Sequence, residues 1–236
     1  MKKVAIISLI LITAAASMAA ESTVSLSADL ASAYVFRGST FNDGAVIQPG
    51  MEVSGLPVTI GVWGNLDLDD YNDSLEGGEF SEIDIYASYD LPLEMEMLGL
   101  SVGYCEYTYP SGGGDADREV SLSAALDTVL APSLAINYGI DGGIDEALYA
   151  ELGLEHGVDL CESISLSLGA ALGYLDPETG DSGFTHADIS ASLSYGMVSA
   201  GVTYIAQIDD DLLADVEDGG SYDADVVGTV GIAYEF

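Results

Sequence analysis

The feature that most constrains this chain is a period of two in its apolar residues that runs almost end to end and never condenses into a long apolar block. Val24, Leu26, Ala28 and Leu30 alternate with Ser25, Ser27, Asp29 and Ala31, and the phase continues through Tyr34 and Phe36. Side chains of an extended strand point alternately to opposite faces, so the pattern specifies strands. It recurs at Val58 to Val62, Ile83 to Tyr89, Leu100 to Tyr104, Val120 to Leu126, Leu134 to Ile140, Leu148 to Leu154, Ile164 to Tyr174, Ala187 to Tyr195, Val198 to Tyr204 and Val226 to Phe236. With a weaker segment at Ile47 to Val53, the count is about 12 strands, with 10 and 14 as alternatives.

The links between the strands alternate too. Short ones lie at Gly55-Leu56-Pro57, Leu91 to Glu94, Thr128 to Pro132, Gly157 to Cys161 and Tyr195-Gly196-Met197. Long polar ones lie at Gly38 to Gly44, Leu68 to Gly78, Pro110 to Asp117, Asp141 to Asp145, Asp176 to Gly183 and Asp209 to Tyr222. Tight turns on one rim, long loops on the other and an even strand number describe a transmembrane antiparallel β-barrel, with long loops outside the cell and short turns in the periplasm. A soluble β-sandwich has no reason to sort its loops by end.

Face polarity points the same way. The second face of each strand holds Ser, Gly, Ala and acids instead of the Lys, Arg, Gln and Thr of a water-facing sheet, which suits a closed interior, while strand-long apolar faces suit contact with lipid. Tyr34, Phe36, Tyr89, Tyr104, Tyr138, Tyr174, Tyr195, Tyr204, Tyr234 and Phe236 fall toward strand ends on the apolar face, as aromatic belts do.

The first 20 residues read differently. Lys2 and Lys3, an apolar run from Val4 to Ala16 and then Ser17-Met18-Ala19 form a secretory signal peptide over 1–20, cut after Ala19 or Ala20, which leaves 21–236 as the barrel. The expected location is therefore a bacterial outer membrane.

Charge narrows function. The 236 residues hold 40 Asp plus Glu against 4 Lys plus Arg, a formal charge of −36, yet 49% are hydrophobic. Disorder is excluded by the apolar content, and nucleic-acid binding by the lack of cations, since only Arg37 and Arg118 remain once Lys2 and Lys3 are removed. Asp29, Glu52, Asp67, Glu82, Asp84, Glu119, Glu151, Asp188 and Asp225 share the inward phase, and Arg37 and Arg118 are placed near the long-loop rim. Such a lumen attracts cations and repels anions. The leading expectation is thus passive diffusion of small hydrophilic, cationic solutes. The alternative is a non-conducting structural or surface-interaction barrel.

No cofactor is expected. Loop acids at Asp69, Asp70, Asp73, Asp209, Asp210 and Asp211 could hold Ca²⁺ or Mg²⁺ weakly and bridge to lipopolysaccharide, without the spacing of a dedicated calcium loop. His186, Asp188 and Ser190 share one face of a strand, but residues two apart lie about 7 Å from each other, too far for a nucleophile and its base. No enzymatic activity is expected. Cys105 and Cys161 could meet only across a narrow lumen.

Two resemblances add to this reading. The ending Tyr234-Glu235-Phe236 resembles the last strand of bacterial outer-membrane barrels, which the barrel assembly machinery reads. Ser32-Ala33-Tyr34-Val35-Phe36-Arg37-Gly38, Ile47-Gln48-Pro49-Gly50, Gly61-Val62-Trp63-Gly64-Asn65 and Glu82-Ile83-Asp84-Ile85-Tyr86 resemble the N-terminal half of the TorF-like porin family of Gram-negative bacteria. That resemblance implies a barrel with a pore, embedded in outer-membrane lipid.

Overall fold

A computed structural model describes residues 22–69, 77–93, 95, 97–213 and 224–236. The expected signal peptide lies outside the described residues. The strands are β1 (Thr23–Ala31), β2 (Tyr34–Phe36), β3 (Ser39–Asn42), β4 (Val46–Ser54), β5 (Val58–Asp67), β6 (Phe80–Asp90), β7 (Leu98–Thr108), β8 (Asp117–Leu126), β9 (Ser133–Asp141), β10 (Leu148–Cys161), β11 (Ile164–Asp176), β12 (Gly183–Tyr195), β13 (Val198–Gln207) and β14 (Val226–Glu235).

Twelve of these, β1 and β4 to β14, form one closed antiparallel barrel in which every neighbour but one is next along the barrel chain. Closure comes from β1 pairing with β14, from Ser25↔Glu235 to Ala31↔Thr229, and is sealed by Phe236 N donating to Val24 O at 2.9 Å. A closed ring leaves no strand edge, which is the condition for crossing hydrocarbon with strands. No helix among the described residues is long and apolar enough to cross a membrane.

The outer face carries Leu26, Leu30, Val102, Leu122, Leu152, Leu168, Ile189, Val202 and Val230, all exposed. Their exposure is the apolar belt that lipid would cover. Tyr89, Tyr195, Tyr234 and Phe236 stand exposed toward the tight-turn rim, and Tyr104, Tyr138, Phe184 and Tyr204 toward the long-loop rim. Opposite them, the lumen wall below the long-loop rim is lined by small residues such as Ser121, Gly153, Gly169, Ser190 and Gly201. At Gly61 the small size is a steric requirement, because a Cβ there would collide with the Tyr86 ring, whose hydroxyl crosses to Glu52 at 3.0 Å.

The structure corrects the sequence reading at the short link of residues 157–161, which are the end of β10, and at residues 32–42. The first strand does not run through Tyr34 and Phe36; it stops at Ala31, and residues 34–42 form a separate hairpin, β2–β3, outside the barrel wall. Tyr34 is 5% exposed and packs with Ala31 and Val46 beside Phe36, Trp63 and Val227. Both aromatic residues therefore face the interior, not lipid. The alternation persists across the break because a hairpin lying in the lumen is itself extended.

The lipid-facing assignment predicts a sharp asymmetry on β12. Ile189→Arg, on the outer face near mid-strand, is expected to destabilise the barrel by about 2–4 kcal/mol, whereas the lumenal Ser190→Thr is expected to change stability by less than about 1 kcal/mol. Urea unfolding in lipid vesicles measures both.

Candidate functional site

An interior lined by serine, glycine and alanine leaves a 12-stranded barrel hollow, since about eight strands are the limit at which side chains alone fill the lumen. The β2–β3 hairpin occupies this space at the long-loop end. Its turn is Arg37-Gly38, with φ of 53° and 86°, the two left-handed residues of a tight two-residue hairpin turn. Gly38 suits that turn and also a close approach: a Cβ on it would lie 2.7 Å from the His186 ring of β12.

From its root between β1 and β4 the hairpin reaches the opposite wall of the ring. The Arg37 guanidinium donates to both oxygens of Glu119 on β8, at 2.8 and 3.0 Å. It also lies between two aromatic faces, 4.7 Å from the Phe36 centroid and 4.4 Å from that of Tyr149 on β10. Tyr107 of β7 donates its hydroxyl to the same Glu119 at 2.7 Å. Along the sides, Tyr34 donates to Glu82 at 2.7 Å, Asn42 to Asp67 at 2.6 Å and Gln207 to the Gly38 carbonyl at 3.3 Å. Charge-assisted, two-pronged and stacked contacts of this kind are the strong ones. The hairpin is thus fastened to strands on both sides of the lumen.

The inward carboxylates distribute around this crossing. Asp67, Glu82 and Glu119 are buried against the hairpin. Asp84 is on the same face of β6, two residues from Glu82, and its Oδ1 is buried without a partner. Glu151 accepts from Tyr149 at 2.8 Å, and Glu52 from Tyr86. Asp188 lies 3.8 Å from His186 Nε2, and its Oδ1 is also buried and unpartnered. Asp29 faces Gly231 across the closing pair, on the lumenal side.

Two placements differ from the sequence reading, those of Arg37 and Asp225. Arg37 is not a rim residue; it is the tip of the hairpin, because the chain after Ala31 turns inward instead of continuing up the wall. Arg118 is at the rim but on the outer face, in phase with exposed Val120, and is paired with Asp141 and with Glu106 at 3.4 Å. Asp225 is exposed just before β14 and does not line the lumen.

Among the loop acids, Asp69, Asp209 and Asp211 are exposed; Asp70 and Asp73 lie outside the described residues, as does the side chain of Asp210. No group of three metal-ligating side chains clusters among the described residues. His186 is buried under the hairpin tip, stacked on Tyr149 with 4° between the rings, and beyond hydrogen-bond reach of Asp188. It supports the hairpin in this arrangement. Cys105 and Cys161 are both free, Cys161 exposed at the tight-turn end of β10.

Between the hairpin and the long loops lies a cavity of about 570 Å³ whose walls include Phe41, Tyr109, Asp117, Ile144 and Leu212. Tyr109 donates to Asp117 at 2.7 Å there. Burial and this bond to a carboxylate push the Tyr109 phenol well above its ordinary value. The sequence reading missed this vestibule because its aromatic lining comes from an inward hairpin and from loop residues that have no strand phase.

A closed 12-stranded antiparallel barrel with an apolar outer belt and a polar interior has the architecture of an outer-membrane β-barrel. Residues 15–230 match a family described as a bacterial protein of unknown function (Gcw_chp), and the chain belongs to that family. No curated protein sequence matches the chain. Its fold is similar to that of an outer membrane channel from Pseudomonas putida F1, with a TM-score of 0.51 and 12% identity over 93% of this chain and 97% of that one. A lesser similarity is to the outer membrane channel DcaP of Acinetobacter baumannii, with a TM-score of 0.39 and 9% identity over 92% and 96% of the two chains.

The pairing at the hairpin tip has a measurable weight. Arg37→Met leaves Glu119 buried without its cation and is expected to cost about 3 kcal/mol, while adding Glu119→Gln is expected to restore more than half of that loss. A double-mutant cycle by urea unfolding of the detergent-folded protein measures both numbers.

Proposed function

We propose that this protein is a porin-like channel of the bacterial outer membrane through which small hydrophilic, cationic solutes diffuse, with the β2–β3 hairpin as its constriction. One observation carries the reading: Asp29, Glu52, Asp67, Glu82, Asp84, Glu119, Glu151 and Asp188 face a lumen in which Arg37 is the one cation among the described residues, and Arg37 is already paired with Glu119. A low-dielectric wall lined by one sign of charge concentrates ions of the other sign. The barrel fold, the lipid-facing belt and the resemblance of the N-terminal half to TorF-like porins support the same reading.

A second reading has its own observation. The hairpin crosses the lumen and is fixed on the far wall, as in a plugged barrel with a structural or surface role. On that reading the exposed loop acids act outward, bridging divalent ions to lipopolysaccharide.

Recording in planar bilayers under a salt gradient separates the two. The channel reading predicts steady conductance with a cation-selective reversal potential, reduced in Asp29→Asn/Glu52→Gln and unchanged in Arg118→Ala, whose side chain is on the outer face. Gly38→Val, whose side chain clashes with His186, is expected to dislodge the hairpin and raise conductance about twofold or more. Silence from folded, inserted protein, relieved only in Gly38→Val, would establish the plugged barrel instead.

A further inference from the structure

The vestibule above the hairpin has the composition of a recognition site, not of a passive mouth. Phe41 is 36% exposed and stands 5.6 Å from the Tyr34 ring; Tyr109, Glu82 and Asp117 line the same cavity. The two carboxyl groups are held by neutral donors, Tyr34 for Glu82 and Tyr109 with the Gly143 amide for Asp117. The one cation in the lining, Arg37, is matched by Glu119. Aromatic faces with unmatched carboxyl groups attract a positive group that also carries apolar surface, because the ring quadrupole and the carboxylates act in the same sense.

The protein's own chemistry gives the precedent. In the lining of the same cavity, the Arg37 guanidinium is held between the faces of Phe36 and Tyr149 and against a carboxylate. We propose that the vestibule is a binding site for small organic cations of the alkylammonium class, seated against Phe41 and Tyr109 with Asp117 as the counter-charge. A volume of about 570 Å³ is within the range of small-ligand sites and ample for a quaternary ammonium group with a short polar tail. The inference deepens the channel reading and rests on it for the route by which the solute arrives.

Trp63, the single tryptophan, lies 5.7 Å from the Tyr34 ring and so reports on the vestibule floor. Choline is the probe, and 3,3-dimethylbutan-1-ol, its neutral isostere, is the control. In detergent-folded protein, choline is expected to change Trp63 fluorescence saturably and to release or absorb heat in calorimetry, whereas the isostere does neither. Phe41→Leu and Asp117→Asn are each expected to weaken choline about fivefold or more, with unfolding midpoints near that of the wild type. Equal responses to choline and the isostere, or none to either from folded protein, would overturn the site. Conductance without choline binding leaves the channel and removes the site; choline binding in a barrel that stays silent in bilayers retains the site and removes the channel.

Discussion

In hydrocarbon no water is available to bond a stray amide or carbonyl, and that condition governs this structure. With strands as the crossing elements, every backbone group must be met sideways by a neighbour, so the sheet has to return to its own first strand. The pairing of β1 with β14, locked by Phe236 and Val24, accomplishes this. Once the ring is closed, the two faces of each strand have fixed environments. Large apolar side chains such as Leu152 and Ile189 go out, and serine, glycine and carboxylates go in.

Closure with 12 strands then creates a packing problem, because residues as small as Gly153 and Ser190 cannot fill the interior they surround. The hairpin of residues 34–42 answers it at one end only. Its apolar side makes a small core with Ala31, Val46, Trp63 and Val227, and its polar groups meet carboxylates of the wall. The rest of the lumen stays lined by small and acidic side chains. A narrow, fastened section in series with a wider acidic one is the arrangement on which the functional proposals depend.

Much of this was legible in the sequence, for a definite reason. Period-two alternation and the sorting of link lengths are strictly local signals, and they gave the barrel, the strand number and the inward phase of Asp29, Glu52, Glu119 and Glu151. The hairpin was not legible by that route. Tyr34 and Phe36 keep the phase of the preceding strand, and nothing in an alternation marks the point at which a chain leaves the wall. The signal that was available lies in Arg37-Gly38, a pair flanked by alternating residues that suits a tight turn, together with Asn42 and Asp43 just beyond it. Arg37 is displaced for the same reason, whereas Asp225 differs because strand phase was carried one residue ahead of the start of β14. The vestibule lay beyond reach altogether, since its lining is assembled from residues 34 to 213.

Placing the lumen's arginine on the tip of an inward hairpin, not on the wall, joins two properties that are usually independent. A displacement that takes the hairpin off the far wall widens the passage and in the same motion withdraws a positive charge from it, uncovering Glu119. Width and charge selectivity would then change as one variable: in a channel of the proposed kind, a wider state would also be the more cation-selective one, the reverse of an ordinary hole, which discriminates less between ions as it grows.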